Sequence, residues 1–178
     1  MKKSILMMAA LVAMLMVSCK ENPYTPSPGN NELVPDSMPE LKYPDPTPDP
    51  EGVDVPEGTL NVYEARKVAR KLSSGSSTTD KYYIKGWIFR LDNANADGIT
   101  SYGNATFYMA ATNDGQTDKY PFEAYQVYGK GGKKLTNVNQ VAVGDFVVIY
   151  GQIMNYSGTA ETVGKGSAYI YSSSNEAL

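Results

Sequence analysis

The sequence contains no histidine and a single cysteine among its 178 residues. Histidine is the commonest general base and the commonest metal ligand, so its absence argues against the usual hydrolytic and metal centres. Cys19 has no second cysteine to pair with, and it cannot form a nucleophile pair with histidine. We therefore expect no enzyme activity, no cofactor and no bound metal.

An excess of positive charge is also lacking, because the net charge is −3. The charges are distributed unevenly along the chain. Residues 20–58 carry two basic and nine acidic side chains, whereas residues 59–178 carry twelve basic and ten acidic ones. Bulk attraction to nucleic acid or to an anionic membrane is therefore not expected.

The only long hydrophobic run, residues 5–17, follows Lys2 and Lys3. It is shorter than the roughly 20 apolar residues of a transmembrane helix, which predicts a signal peptide over residues 1–18. Ser18 and Cys19 after this run resemble the lipobox of bacterial lipoproteins. The resemblance implies that Cys19 is lipidated and anchors the chain in a membrane. The alternative is an ordinary secretory signal with an incidental cysteine.

The three residues Cys19, Lys20 and Glu21 resemble part of the signal that sends Bacteroidota lipoproteins to the cell surface. This resemblance implies a lipid-anchored protein of the bacterial outer membrane. Both the periplasmic side and the cell surface remain open.

Proline is concentrated in one segment, since ten of the eleven prolines lie between Pro23 and Pro56. Proline removes backbone donors and fixes φ, and the many acidic side chains repel one another. We therefore predict a disordered, semi-rigid tether over residues 19–58. The folded domain is predicted over residues 59–178.

One helix is expected at the start of this domain. Asn61 and Glu64 match a capping box with asparagine at the first position. Apolar residues then recur at helical spacing, and they are Ala65, Val68, Ala69 and Leu72. The opposite side is expected to be a solvated basic face formed by Arg66, Lys67, Arg70 and Lys71.

Short runs of aromatic and β-branched residues, separated by turn residues, follow the helix. They predict five strands over residues 82–91, 106–112, 122–128, 146–154 and 168–172. Residues 135–143 are expected to contain a short helical turn. The pattern favours a mainly β fold, a five-stranded antiparallel barrel preceded by one N-terminal α-helix.

Alternation along the strands separates an inner face from an outer face. Ile84 and Ile88 are expected to face the barrel interior, and Gly86 between them is interpreted as a bend. The outer face should then carry a set of candidate ligand-binding side chains, namely Trp87, Tyr108, Tyr125, Tyr150 and the nearby Lys85. Structural cross-strand packing is the alternative role for these aromatic residues.

Four segments resemble OB-fold domains of Bacteroidota secreted and surface lipoproteins, and they are residues 83–88, 101–108, 122–125 and 143–153. The resemblance implies an OB-fold over residues 59–172. OB-folds often bind oligosaccharides or oligonucleotides on one sheet face. The function expected from it is a membrane-anchored binding module for an oligosaccharide or single-stranded nucleic acid. The alternative is a structural or protein-interaction subunit of an envelope assembly.

Two other candidate sites have simpler interpretations. The alternating oxygen-bearing residues of segment 93–98 resemble a calcium loop but carry one carboxylate, so an Asx-rich hairpin loop is the better interpretation. Glu123 and Asp145 could supply the carboxylate pair of a glycoside hydrolase. Each also has a plain structural role, on a strand face and in a turn.

Overall fold

The computed structural model describes residues 43–92, 95–114 and 120–178. Helix α1 is Val62–Arg70. The strands are β1 Leu60–Asn61, β2 Ser77–Leu91, β3 Asn104–Ala110, β4 Phe122–Tyr128, β5 Phe146–Tyr156, β6 Thr159–Thr162 and β7 Tyr169–Ser173. Short helical turns occupy Asn95–Asp97, Gly98–Tyr102, Lys130–Gly132 and Val138–Gln140.

Five of the strands close into a barrel. β2 pairs with β3 and with β5, β3 pairs with β4, and β7 pairs with both β4 and β5. All these pairings are antiparallel except the parallel contact between β4 and β7, so the barrel is mixed. The ring order β2-β3-β4-β7-β5 is that of an OB-fold-like barrel, which confirms the predicted fold. The helix precedes these five strands, but residues 43–61 come before it.

The barrel interior follows the predicted alternation. Ile84 and Ile88 on β2 and Ile149 on β5 are buried, together with Phe107 on β3. Gly86, which was predicted to allow a bend, lies between the two isoleucines at a point where neighbouring elements come close. A Cβ at Gly86 would stand 2.7 Å from the carbonyl oxygen of Ala110 and 2.9 Å from a methyl group of Val62. The glycine therefore allows β2, β3 and α1 to approach closely.

Helix α1 begins with the predicted capping box. The Asn61 side chain accepts a hydrogen bond from the Glu64 amide at 3.0 Å, and the Glu64 carboxylate accepts one from the Asn61 amide at 2.7 Å. The prediction for Arg66 is wrong, because this side chain is fully buried. It donates a hydrogen bond to the Pro121 carbonyl at 2.5 Å and lies over the Tyr120 ring. The hydrogen bond and the ring provide the partners that a buried guanidinium requires.

Residues 43–58, here called the strap, contact the barrel and contain turns at residues 51–52 and 57–58. These residues fall in the segment predicted as a tether, and they differ from a free tether because their side chains find partners on the domain. Tyr43 stacks on Tyr63 of α1 with ring centroids 4.4 Å apart. Further along, Asp54 accepts a hydrogen bond from the Tyr171 hydroxyl at 2.7 Å. Composition alone does not reveal these partners.

The predicted signal peptide, Cys19 and the first part of the predicted tether lie outside the described residues. Within residues 43–92, 95–114 and 120–178, no helix is both long and apolar enough to cross a membrane.

Candidate ligand-binding groove

Two of the predicted site residues, Lys85 and Trp87, lie on the outer face of β2. The Lys85 ammonium is paired with the Asp49 carboxylate of the strap at 2.6 Å. The Trp87 ring packs edge-on against Phe146, with centroids 5.1 Å apart. Its indole nitrogen is buried and has no hydrogen-bond partner among the described residues. Both side chains therefore contact the protein itself rather than an open surface.

Tyr150 belongs to a separate aromatic cluster on β2, β5 and β7. Its ring lies 4.6 Å from Tyr83 and 5.6 Å from Tyr169, and Tyr83 in turn packs against Tyr171 at 5.0 Å. Tyr83 and Tyr150 are direct cross-strand partners. Such pairs stabilise sheets, so this arrangement accounts for Tyr150 structurally.

Tyr108 on β3 lies in a row of polar side chains that crosses the barrel exterior. Its cross-strand partners are Arg90 on β2 and Glu123 on β4, and Glu123 is next to Glu161 on β6. The Arg90 guanidinium lies over the Tyr108 ring, 3.9 Å from its centroid. This cation–π contact fixes the Tyr108 ring and the Arg90 side chain at the end of the row nearest β2.

The remaining predicted residue, Tyr125, lies in an open groove on the other end of this row. The groove crosses β3, β4 and β6, between residues 95–103 on one side and the loop of residues 163–168 on the other. We call it the tyrosine groove. One part, with a volume of about 260 Å³, is lined by Asp92, Asp97, Gly98, Tyr102, Asn104, Thr106, Glu123, Tyr125 and Gln126. A second part of about 720 Å³ is lined by Glu123, Tyr125, Met154, Tyr156, Thr159, Glu161, Val163, Gly164 and Lys165.

Exposed aromatic side chains concentrate in this groove. Five large hydrophobic side chains of the described residues are exposed, and three of them line it. They are Tyr102 at 67%, Tyr125 at 37% and Tyr156 at 57% exposure. The Tyr125 ring also lies against the backbone of Gly164, where an added Cβ would stand 2.6 Å from a ring carbon. Its ring is therefore held in place at the groove floor.

An irregularity in β4 directs Tyr125 into the groove. The register between β3 and β4 shifts between Ala105 and Phe107, and Gln126 has a left-handed φ of 50°. Two threonine hydroxyl groups accept hydrogen bonds from the backbone here. Thr162 accepts one from the Tyr125 amide at 2.9 Å, and Thr106 accepts one from the Gln126 amide at 3.1 Å. Bulges of this kind re-aim side chains and are frequent beside functional sites.

The electrostatics of the groove are set by neighbouring carboxyl groups on its floor. Burial, together with the nearby Glu123 carboxylate, raises the pKa of Glu161 to about 7. Burial and the charge of Asp92 raise the pKa of Glu123, against the opposing effects of a hydrogen bond from Tyr108 and of Arg90. A protonated carboxyl group can donate a hydrogen bond as well as accept one. Glu123 and Glu161 can therefore donate hydrogen bonds to ligand hydroxyl groups as well as accept hydrogen bonds from them.

The sequence prediction missed the second carboxylate of this pair. Asp145, proposed beside Glu123 from the sequence, instead accepts hydrogen bonds from the Ala142 amide at 2.7 Å and the Asn175 side chain at 2.8 Å. Glu161 takes the position beside Glu123 because β6 folds back after the turn at Ser157 and Gly158. That Ser-Gly turn, followed by a threonine-rich run, was the available sequence signal.

Segment 93–98, compared above with a calcium loop, is described from residue 95 onward. Asn95–Asp97 forms a helical turn that continues into Gly98–Tyr102, so this part of the loop is helical rather than a plain hairpin connection. No group of three or more acidic, histidine or cysteine side chains is placed to hold a metal ion in the part of the chain that the structure describes.

The fold and the groove define a class, an OB-fold-like barrel with an open groove across its β3–β4 face. A scan against protein-family models found no match, and a search of curated proteins found no significantly similar sequence. The function is therefore argued from the groove itself.

Proposed function

We propose that the chain is a lipid-anchored envelope module that binds an oligosaccharide in the tyrosine groove. The observation that carries the proposal is the convergence of Tyr102, Tyr125 and Tyr156, three of the few exposed large hydrophobic side chains, on one groove. Aromatic faces stack on sugar rings, and a few convergent polar groups then fix orientation. Carboxylates such as Glu123 accept hydrogen bonds from sugar hydroxyl groups.

The charge of the groove favours a sugar over single-stranded nucleic acid. Its two parts are lined by one basic side chain, Lys165, and by four acidic side chains, namely Asp92, Asp97, Glu123 and Glu161. Nucleic-acid binding depends on lysine and arginine contacts to successive phosphates. The acidic side chains would repel a phosphate backbone laid along the groove floor. They present acceptors to hydroxyl groups instead.

Anchoring and location are part of the same proposal. The lipobox-like residues around Cys19 support a lipid anchor, and the following residues support the bacterial outer membrane, on either its periplasmic or its outer side. Metabolic labelling with a radioactive fatty acid tests the anchor. Label in the parent protein and its loss in Cys19→Ala are expected, whereas an unlabelled parent protein would contradict the anchor.

Isothermal titration of the mature chain with two ligand sets tests the binding function. The sets are neutral oligosaccharides of four to six units and single-stranded oligonucleotides of matched length. We expect binding by at least one oligosaccharide with little dependence on salt, and none by the oligonucleotides. Binding by oligonucleotides that weakens steeply with salt would overturn the preference. If neither set binds, the proposal fails and the protein-interaction alternative replaces it.

Glycoside hydrolysis is the second candidate, and the Glu123–Glu161 pair favours it. One carboxyl group with a raised pKa beside a second carboxyl group is the arrangement that glycosidases use as acid and base. Overnight incubation with each bound oligosaccharide, followed by mass spectrometry, separates the two functions. Intact oligosaccharide supports a binding module, and shortened products that disappear in Glu161→Gln support hydrolysis.

A further inference from the structure

Beyond its acidic floor, the tyrosine groove has a basic end. A third cavity of about 530 Å³ continues from Asn104 and Gln126, and it is lined by Ser101, Tyr102, Asn104, Gln126, Tyr128, Lys134 and Lys165. Among the described residues, no acidic side chain lines this cavity. The groove therefore holds carboxylates at Glu123 and Glu161 in its middle and the Lys134 ammonium group at this end, with Lys165 lining both parts.

The two lysines are held at this end by the backbone around them. The Lys134 side chain lies over Gly103, where an added Cβ would stand 2.6 Å from the lysine Cβ. The Gly103 carbonyl also accepts a hydrogen bond from the Leu135 amide at 2.8 Å, which ties the lysine loop to the groove wall. Lys165 has a left-handed φ of 59°, and its amide donates to the Gln126 side chain at 3.1 Å.

Among the described residues, neither ammonium group has a hydrogen-bond or ion-pair partner. Lys134 and Lys165 have no carboxylate within 4.0 Å in residues 43–92, 95–114 and 120–178, in contrast to Lys85, which pairs with Asp49 at 2.6 Å. Lys134 also borders a neighbouring small cavity lined by Lys130, Lys133 and the last residue, Leu178, and its three lysines make the side-chain charge of that lining positive. Clustered like charges in a concave site attract a ligand of the opposite charge.

We propose that the tyrosine groove binds an oligosaccharide with one anionic sugar at its end, with the anionic group between Lys134 and Lys165. This inference rests on the proposed function and narrows its ligand class. The uncharged sugars lie over Tyr125 and Glu123. A ligand with a negative charge on every sugar is disfavoured, because its other charges would lie over Glu123 and Glu161. The anionic group is a carboxylate or a sulfate ester, since both meet ammonium groups in the same way.

A matched ligand series tests this orientation by isothermal titration of the mature chain. The series is an oligosaccharide with one terminal uronic acid, the same oligosaccharide with that carboxyl group reduced to an alcohol, one with a terminal sulfate, and one with uronic acid at every position. We expect either singly charged ligand to bind about tenfold more tightly than the reduced one, a preference that weakens with salt. The fully charged ligand should gain no such preference.

The Lys134→Gln/Lys165→Gln double variant should lose the preference and keep its affinity for the reduced, neutral ligand. The control is Lys71→Gln/Lys81→Gln, which removes the same charge from exposed positions just after α1 and on β2, outside the groove linings. This control should keep the preference. Equal binding of charged and neutral ligands by the parent protein would overturn this inference alone. Absence of all oligosaccharide binding would instead overturn the proposed function.

Discussion

Gln126 and Lys165 both adopt left-handed backbone conformations, with φ of 50° and 59°, and a hydrogen bond joins them. The Gln126 side-chain oxygen accepts it from the Lys165 amide at 3.1 Å. Non-glycine residues in this region carry backbone strain, which persists where the surroundings over-determine the conformation. Here the two residues tie the bulge in β4 to the loop that forms one groove wall. The strain is thus located where the groove obtains its shape.

This relationship predicts different outcomes for two substitutions at Gln126. Gln126→Ala loses the side-chain hydrogen bond and keeps the strained backbone, so we expect about 1 kcal/mol lower stability. Gln126→Gly also loses the bond but relieves the strain, and should stay close to the parent protein. Urea unfolding measures both. An alanine variant as stable as the parent would show that the bond between the wall and β4 contributes nothing.

The stability of the domain should depend on pH through Glu161. Its pKa is raised from 4.5 to about 7, so the folded state holds this proton more tightly than the unfolded state. The resulting stabilisation is complete below pH 4.5 and is lost as pH rises through 7. Because one pKa unit corresponds to about 1.4 kcal/mol, the loss is up to about 3 kcal/mol. Urea unfolding at pH 5 and pH 8 measures it.

Glu161→Gln mimics the protonated carboxyl group and should remove most of this pH dependence. The remaining pH dependence should also be a loss of stability with rising pH, because the pKa of Glu123 is raised as well. Asp92 on β2 strengthens that shift, and Arg90 opposes it. The control is Glu57→Gln, an exposed residue of the strap, which should behave as the parent does. A Glu161→Gln variant with the parent's slope between pH 5 and pH 8 would contradict the assignment.

Alternation of apolar residues was sufficient to predict the five barrel strands and their inner faces, but not β1 or β6, because a β-strand repeats every two residues. It could not group the outer aromatic residues. Trp87, Tyr108, Tyr125 and Tyr150 all point outward, but closing the barrel turns their strands in different directions, and each lies among different neighbours. The register shift at Gln126 and the return strand that carries Glu161 depend on tertiary pairing, which local pattern does not encode.

The strap shows that amino-acid composition, like alternation, does not predict contacts with distant parts of the chain. Its prolines and carboxylates are typical of an unfolded segment. Asp49 and Asp54, however, meet Lys85 and Tyr171, and Tyr43 stacks on Tyr63. Whether such a segment stays free depends on partners elsewhere in the chain. Acidic residues in a tether have no such partners until the barrel places a lysine and a tyrosine beside them.

Removing the strap should therefore destabilise the barrel. A chain that begins at residue 59 loses the stack of Tyr43 on Tyr63 and the contacts of Asp49 with Lys85 and of Asp54 with Tyr171. We expect its Tm to fall by at least about 5 °C relative to a chain that begins at residue 43. Thermal unfolding followed by circular dichroism measures the change. Equal Tm values would mean that the strap contributes nothing to stability.

Two single substitutions in the full chain also test whether contacts of the strap contribute to stability. Asp54→Ala removes the acceptor of the Tyr171 hydroxyl, while Asp45→Ala changes an exposed carboxylate of the strap. The first should lower the free energy of unfolding by about 1 kcal/mol, and the second should leave it unchanged. Equal effects of the two substitutions would show that charge, rather than the contact, is responsible.

We expect opposite effects on affinity and stability from alanine substitutions in the tyrosine groove and in the aromatic cluster on β2, β5 and β7. Tyr125 is exposed on the groove floor and is held against Gly164, so Tyr125→Ala should weaken oligosaccharide binding about tenfold with little loss of stability. Tyr150 packs between Tyr83 and Tyr169, so Tyr150→Ala should lower stability by about 1–2 kcal/mol and leave affinity unchanged. Titration and urea unfolding of both variants separate the two effects. Weaker binding in Tyr150→Ala alone would place the binding site at the aromatic cluster instead. The expected result places it in the tyrosine groove, because only there, among the described residues, are exposed tyrosines beside carboxylates.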